Sequence, residues 1–140
     1  MYANGRSVTK NYAEAAKWAR LAADQGVATP QSNLGVAYEN NQGVSQNYAE
    51  AVKWFPLAAD QGCASAQYHL GLMYRDGHRV HLDYGYAQMW LNLSAAQNEQ
   101  DAMKDRDWIA TRIKPPQIEE AQRLASKWKP IVAKQPGSSQ

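Results

Sequence analysis

Two places in this 140-residue sequence hold side chains that could do chemistry. His78 and His81 stand three apart in the stretch DGHRVHLD, between Asp76 and Asp83. Imidazole and carboxylate could ligate zinc, which takes three or four ligands at about 2 Å. The pair sits in a turn rather than on one helical face, no cysteine or glutamate joins it, and Asp83 has a second task as a helix cap. It reads as a solvated turn. The single cysteine, Cys63, would be a nucleophile only if a neighbouring base lowered its thiol pKa. His69 is six residues on, which is not a helical neighbour, and Val27 holds the equivalent place one unit earlier. Cys63 therefore reads as a small apolar core residue. There is no nucleophile elbow, P-loop or dinucleotide glycine motif. No catalytic group, metal or cofactor is expected.

The elements around these residues are set by repetition. NYAEAAKWARLAADQG (Asn11 to Gly26), NYAEAVKWFPLAADQG (Asn47 to Gly62) and DYGYAQMWLNLSAAQN (Asp83 to Asn98) follow one another at an offset of 36 residues. Self-similarity at such a period is the mark of a solenoid. Asn11, Asn47 and Asp83 read as N-caps, with Glu14 and Glu50 placed to complete capping boxes. Ala15, Trp18 and Ala22, and their counterparts Ala51, Trp54 and Ala58, make an apolar stripe at helical spacing. The shared register of Trp18, Trp54 and Trp90 predicts core packing rather than a ligand cage. Gly26 and Gly62 end the helix in left-handed backbone, and Asn98 replaces them in the third copy. Between the phrases, Leu34, Gly35 and Tyr38 recur as Leu70, Gly71 and Tyr74. They predict a second helix over about Pro30–Asn40 and Ala64–Arg75. The recurring glycine predicts a neighbour too close for a Cβ. Pro56 predicts a kink near Val52–Pro56.

This pattern, LGxxY, a Gly/Val turn and (D/N)YxxAxxWxxxAAxxG, resembles the Sel-1-like repeat, a relative of the tetratricopeptide repeat. The resemblance implies an all-α, right-handed α-solenoid of helix pairs. It places a partial repeat at residues 1–28, full repeats at 29–62 and 63–98, a divergent capping helix pair at 99–130 and a flexible tail at 131–140. Met1 and Tyr2 align with Met73 and Tyr74, so residues 1–10 read as the end of a first helix and its turn, ahead of a cap at Asn11. The flank of Tyr12 and Trp18 that a missing helix would cover is a site for self-association. Past Lys114, Pro115 and Pro116 start a helix with Ile118, Ala121, Leu124, Ala125 and Trp128 on one face.

Fifteen Lys and Arg against thirteen Asp and Glu give a net charge of +2. That balance argues against nucleic acid or anionic membrane as partner. No apolar run approaches the ~18 residues of a membrane span. The compartment is left open. By analogy with tetratricopeptide stacking, the first helix of each pair lines a concave groove. Its residues would be Asn33, Val36, Glu39 and Asn40, then His69, Leu72, Arg75 and Asp76, and one period later Asp105, Trp108, Thr111 and Arg112. Val36, Leu72 and Trp108 form an apolar ladder suited to a protein or peptide partner. The expected function is a non-catalytic scaffold or adaptor; the alternatives are a structural spacer in a longer array, or a metal or hydrolytic site at His78 and His81.

Overall fold

The computed structural model describes residues 5–40, 47–77 and 80–130, the side chains of 5–12 and 48 excepted. These residues form α1 (Gly5–Asp24), α2 (Ala28–Asn40), α3 (Tyr48–Asp60), α4 (Ala64–Asp76), α5 (Tyr84–Ala95), α6 (Gln100–Ala110) and α7 (Pro115–Lys127), with no strand among them. His78, the turn residues Gly43 and Val44 and the tail at 131–140 lie outside the described residues.

Each helix boundary has a local cause. Asn47 and Asp83 accept the amides of Glu50 and Tyr86 through their side chains, at 3.2 and 2.9 Å. The reach-back expected of Glu50 is replaced by something longer in range. The cap amides of Asn47 and Asp83 donate instead to the carbonyls of Tyr38 and Tyr74, at 2.8 and 2.9 Å. Each cap therefore staples its helix to the end of the helix before it. Gly26, Gly62 and Asn98 share one left-handed conformation, with φ of 91°, 95° and 69°. Asn is the residue other than glycine that accepts this backbone most readily. Pro56 does not interrupt α3, which runs on to Asp60.

The N-terminal turn is absent. α1 runs without a break through Asn11, where the sequence predicts a helix start. No glycine or proline stands between Gly5 and Asn11 to stop the helix, whereas Gly77 closes α4 at φ 71°.

The helices alternate between two layers. α2, α4 and α6 form one, α1, α3 and α5 the other; α2 packs on α3 and α4 on α5. Within the first layer neighbours touch, α2 with α4 and α4 with α6, and the second layer makes no comparable contact among α1, α3 and α5. The repeated glycine explains the tight pairing. A Cβ on Gly35 would stand 2.7 Å from the Phe55 ring, and one on Gly71 would stand 2.8 Å from Leu91. Phe55 and Leu91 occupy one register, and both are fully buried.

Trp54 and Trp90 are interior, each 3 % exposed, whereas Trp18 is 68 % exposed, so the core packing predicted from the shared register holds at two positions and the uncovered flank expected at Trp18 at the third. Trp54 sits among Ala23, Leu34 and Tyr38. Thirty-six residues back, the counterpart of Leu34 falls ahead of Met1 and that of Tyr38 is Tyr2, outside the described residues. α6 and α7 do not form the expected pair. α7 packs along α5 and places Leu124, Ala125 and Trp128 on the central core. On α6, Arg106 and Asp107 stand where Leu70 and Gly71 received a crossing helix; no described helix crosses there, so the signature is not needed.

Candidate functional site

The layer formed by α2, α4 and α6 carries the residues singled out as a binding face. Leu34 and Leu70 turn inward and are buried. Helical spacing then sends the residues one position before, and two, five and six after, toward the outer surface of that layer. Glu39 of α2 meets His69 of α4, Oε1 to Nδ1 at 3.4 Å. His69 also stacks on Phe55, with ring centroids 4.9 Å apart. One period on, Arg75 of α4 meets Asp105 of α6 at 3.0 Å. Glu39 and Arg75 are equivalent positions, as are His69 and Asp105. The same cross-helix rung is built twice with its acid and base exchanged.

Arg75 is fully engaged. Its Nε and Nη2 donate to the two oxygens of Asp76, and Nη1 donates to Asp105. The bond to Asp76 raises the already high Arg75 pKa, and burial opposes it. Tyr68 completes the rung. Burial, then the Asp105 charge and a hydrogen bond to it, push the phenol up to about 12. A neutral Tyr68 can donate to Asp105; a phenolate cannot.

Beside this rung lies Trp108, 41 % exposed. The Arg112 guanidinium covers its ring at 3.6 Å, Arg75 approaches it at 5.7 Å, and Tyr84 meets its edge at 6.2 Å. Arg112 is held by the Trp108 carbonyl and the Thr111 hydroxyl, at 3.3 and 2.8 Å. Trp108 is thus an exposed aromatic whose orientation is fixed from several sides. Asn33 and Asn40 are exposed, and Val36 and Leu72 are half-buried, Val36 against the central core. The structure brings Glu39 to His69, and Arg75, Asp76, Trp108 and Arg112 together.

Sequence reasoning missed Tyr68 and Tyr84, neither of which was assigned to the face, and a set of glutamine ties. Gln61 Nε2 donates to Gln31 Oε1 at 2.9 Å, and Gln97 Nε2 to Gln67 Oε1 at 3.0 Å. Gln31 and Gln67 in turn donate to the carbonyls of Ala23 and Ala59, both at 3.2 Å. The signal was present, since Gln61 and Gln97 share a register and so do Gln31 and Gln67.

Of the His78–His81 pair, His78 lies outside the described residues. His81 is exposed, and Cys63 is half-buried against the core. Among the described residues no three His, Cys, Asp or Glu side chains gather as metal ligands, and no helix is long and apolar enough to cross a membrane.

A sequence model of the Sel1 repeat matches residues 1–27, 31–63 and 64–99, and the chain belongs to that family. Its structure is similar to that of a protective antigen present in uropathogenic Escherichia coli strains, which displays an SLR fold. The TM-score is 0.77 at 30 % identity, over 83 % of this chain and 25 % of that one. It is also similar to a Sel1 repeat protein from Oxalobacter formigenes, with a TM-score of 0.61 at 36 % identity, over 65 % of this chain and 37 % of that one. The chain thus spans a quarter to roughly a third of the proteins it resembles. No curated protein matches it.

Proposed function

We propose that the chain is a non-catalytic scaffold that binds a protein or peptide along the face of α2, α4 and α6. The observation that carries this reading is Trp108. It is a large exposed aromatic clamped by Arg112 and Tyr84 on the layer whose helices approach one another most closely. In a stacked array the closer layer is the inner side of the curve, where an extended partner can touch successive repeats. Tryptophan and arginine dominate binding energy at interfaces. A side chain already fixed in place also loses little entropy when a partner arrives.

Glu39 pairs with His69, and Arg75 pairs with Asp76 and Asp105, so these side chains have partners within the face. Arg75 is therefore support rather than anchor, and the anchors are Leu72, Trp108 and Arg112. Affinity capture from source-cell lysate tests this, comparing the native chain with a Leu72→Glu, Trp108→Ala variant. A partner caught only by the native chain is expected. Identical catches would remove the face as the site and favour a spacer role.

A further inference from the structure

α1 carries the register of α3 and α5 without their covering. Trp54 and Trp90 are 3 % exposed because α2 and α4 pack over them, whereas Trp18 is 68 % and Leu21 51 % exposed. On the helix that carries Trp18, a groove of about 290 Å³ opens between α1 and α2, lined by residues including Ala15, Ala16, Ala19 and Asn33. Its floor has a specific origin. Ala19 occupies the register of Phe55 and Leu91, and Asn33 that of His69. At the internal joint the Phe55 ring fills this space and stacks on His69. At the end joint the ring is missing.

The internal joints show what covers such a face. It is a helix reading Leu-Gly-X-X-Tyr, with Leu and Tyr flanking the tryptophan and Gly pressed on the large side chain. A Cβ on Gly35 would point straight into the Phe55 ring. At α1 the same vector enters open space. We propose that the α1–α2 groove receives one amphipathic helix of the form Leu-X-X-X-Tyr, whose second residue is a large apolar side chain. Knob and hole are exchanged relative to the two internal joints. The occupant is not α6 of a second copy. On α6 the matching residues are Arg106 and Asp107, a solvent-facing ion pair that would be driven against Trp18 and Ala19. The groove is lined in part by Asn33 and Val36 but does not involve Leu72, Trp108 or Arg112, so this proposal and the scaffold reading can fail separately.

The probe is a labelled, end-blocked 13-residue peptide copied from α2, Ala28–Asn40, and the same peptide with Gly35→Phe. Each is titrated into the full chain by fluorescence anisotropy. On the native chain the Gly35→Phe peptide is expected to bind at least about tenfold more tightly, from burial of one aromatic side chain. An Ala19→Phe chain fills the hole and should reverse the order. Trp18→Ser, a change at an exposed position, should weaken both. Absence of binding, equal affinities on the native chain, an unchanged order with Ala19→Phe, or indifference to Trp18→Ser would each overturn the proposal. So would light scattering that shows the chain dimerising and the peptide failing to compete, which would give the face to a second copy.

Discussion

The two internal joints of the solenoid use the same positions and different chemistry. At the first, between α1–α2 and α3–α4, the cross-helix rung is Glu39 with His69, and Trp54 is flanked by the cations Arg20 and Lys53. At the second the rung is Arg75 with Asp105, and Trp90 is flanked by Trp128 of α7. Lys53 becomes Met89 in the same register, and Met89 is buried. The difference separates what the repeat requires from what the location allows. A large side chain set on glycine, a buried tryptophan, a glutamine tie and a capped helix recur unchanged. The sign of the rung and the covering of the tryptophan do not. Flanking cations suffice at the first indole; a third layer demands that the lysine be replaced by an apolar residue.

The largest effect should come from removing a tryptophan where it is covered. Trp90→Ala is expected to cost about 4 kcal/mol of unfolding free energy, as for a large aromatic lost from a packed core. Trp18→Ala, the same change in the same register, should stay within about 0.5 kcal/mol, as at most exposed positions. Urea midpoints for the two variants measure this. Equal losses would mean that α1 is covered in solution.

Next comes the third layer. Trp128→Ala should cost about 3 kcal/mol, because it strips contacts from Trp90 and uncovers the turn at Gly62. Lys53→Met, which copies the residue buried beneath α7, should gain nothing at the first joint, where no such helix lies. A stabilised Lys53→Met chain would show that apolarity at this register is favourable without a covering helix.

The glycine contacts are the third means of comparison. Gly35→Ala and Gly71→Ala should each cost about 2 kcal/mol through overpacking. The first should be the worse, since Phe55 is held between Gly35 and His69 and cannot yield as Leu91 can change rotamer. Thermal melts of the two variants, with circular dichroism to confirm helix content, decide the order.

Most of this architecture was legible in the sequence, and the parts that were not share a cause. Helix order, caps, the close approach at Gly35 and Gly71 and the left-handed Asn98 follow from residues that recur at a fixed period. The covering of α5 by α7 breaks the period, so no register argument could place it. Its trace was nevertheless present: Lys17 and Lys53 give way to Met89, and Glu14 and Glu50 to Tyr86. Trp18 is exposed because no described helix packs over it as α2 packs over Trp54, and its residue type gave no sign of that. For the outer face of α2, α4 and α6, the positions were readable from helical spacing. The pairing of Arg75 with both Asp76 and Asp105 was not, because it joins α4 to α6, where the repeat signature has decayed. Tyr68 was invisible for a related reason: Ser32 and Lys104 hold its register, so nothing in the period marked it.

Tyr68 gives the smallest effect and the one most specific to the second rung. Its phenol is raised from 10.0 to about 12, by burial first and by the Asp105 charge and hydrogen bond next. The folded chain therefore keeps this proton to higher pH than the unfolded chain does. The stability linked to it is fully present below pH 10 and is lost as pH rises toward about 12. Tyr68→Phe removes the titrating group, so its stability curve should fall less steeply than that of the native chain across this window. Tyr74, also raised by burial, is common to both proteins and cancels in the difference. Asp105→Asn removes the charge and one rung partner together. It should cost about 1 kcal/mol at neutral pH, as for a modest ion pair, and should also flatten the alkaline slope. Glu39→Gln, at the first rung, should leave that slope unchanged, because Tyr68 answers to Asp105 and not to Glu39. Urea denaturation at intervals between pH 8 and 12 compares the three variants with the native chain; a slope that Glu39→Gln flattens as much as Asp105→Asn does would mean that the two rungs are one coupled network rather than separate joints.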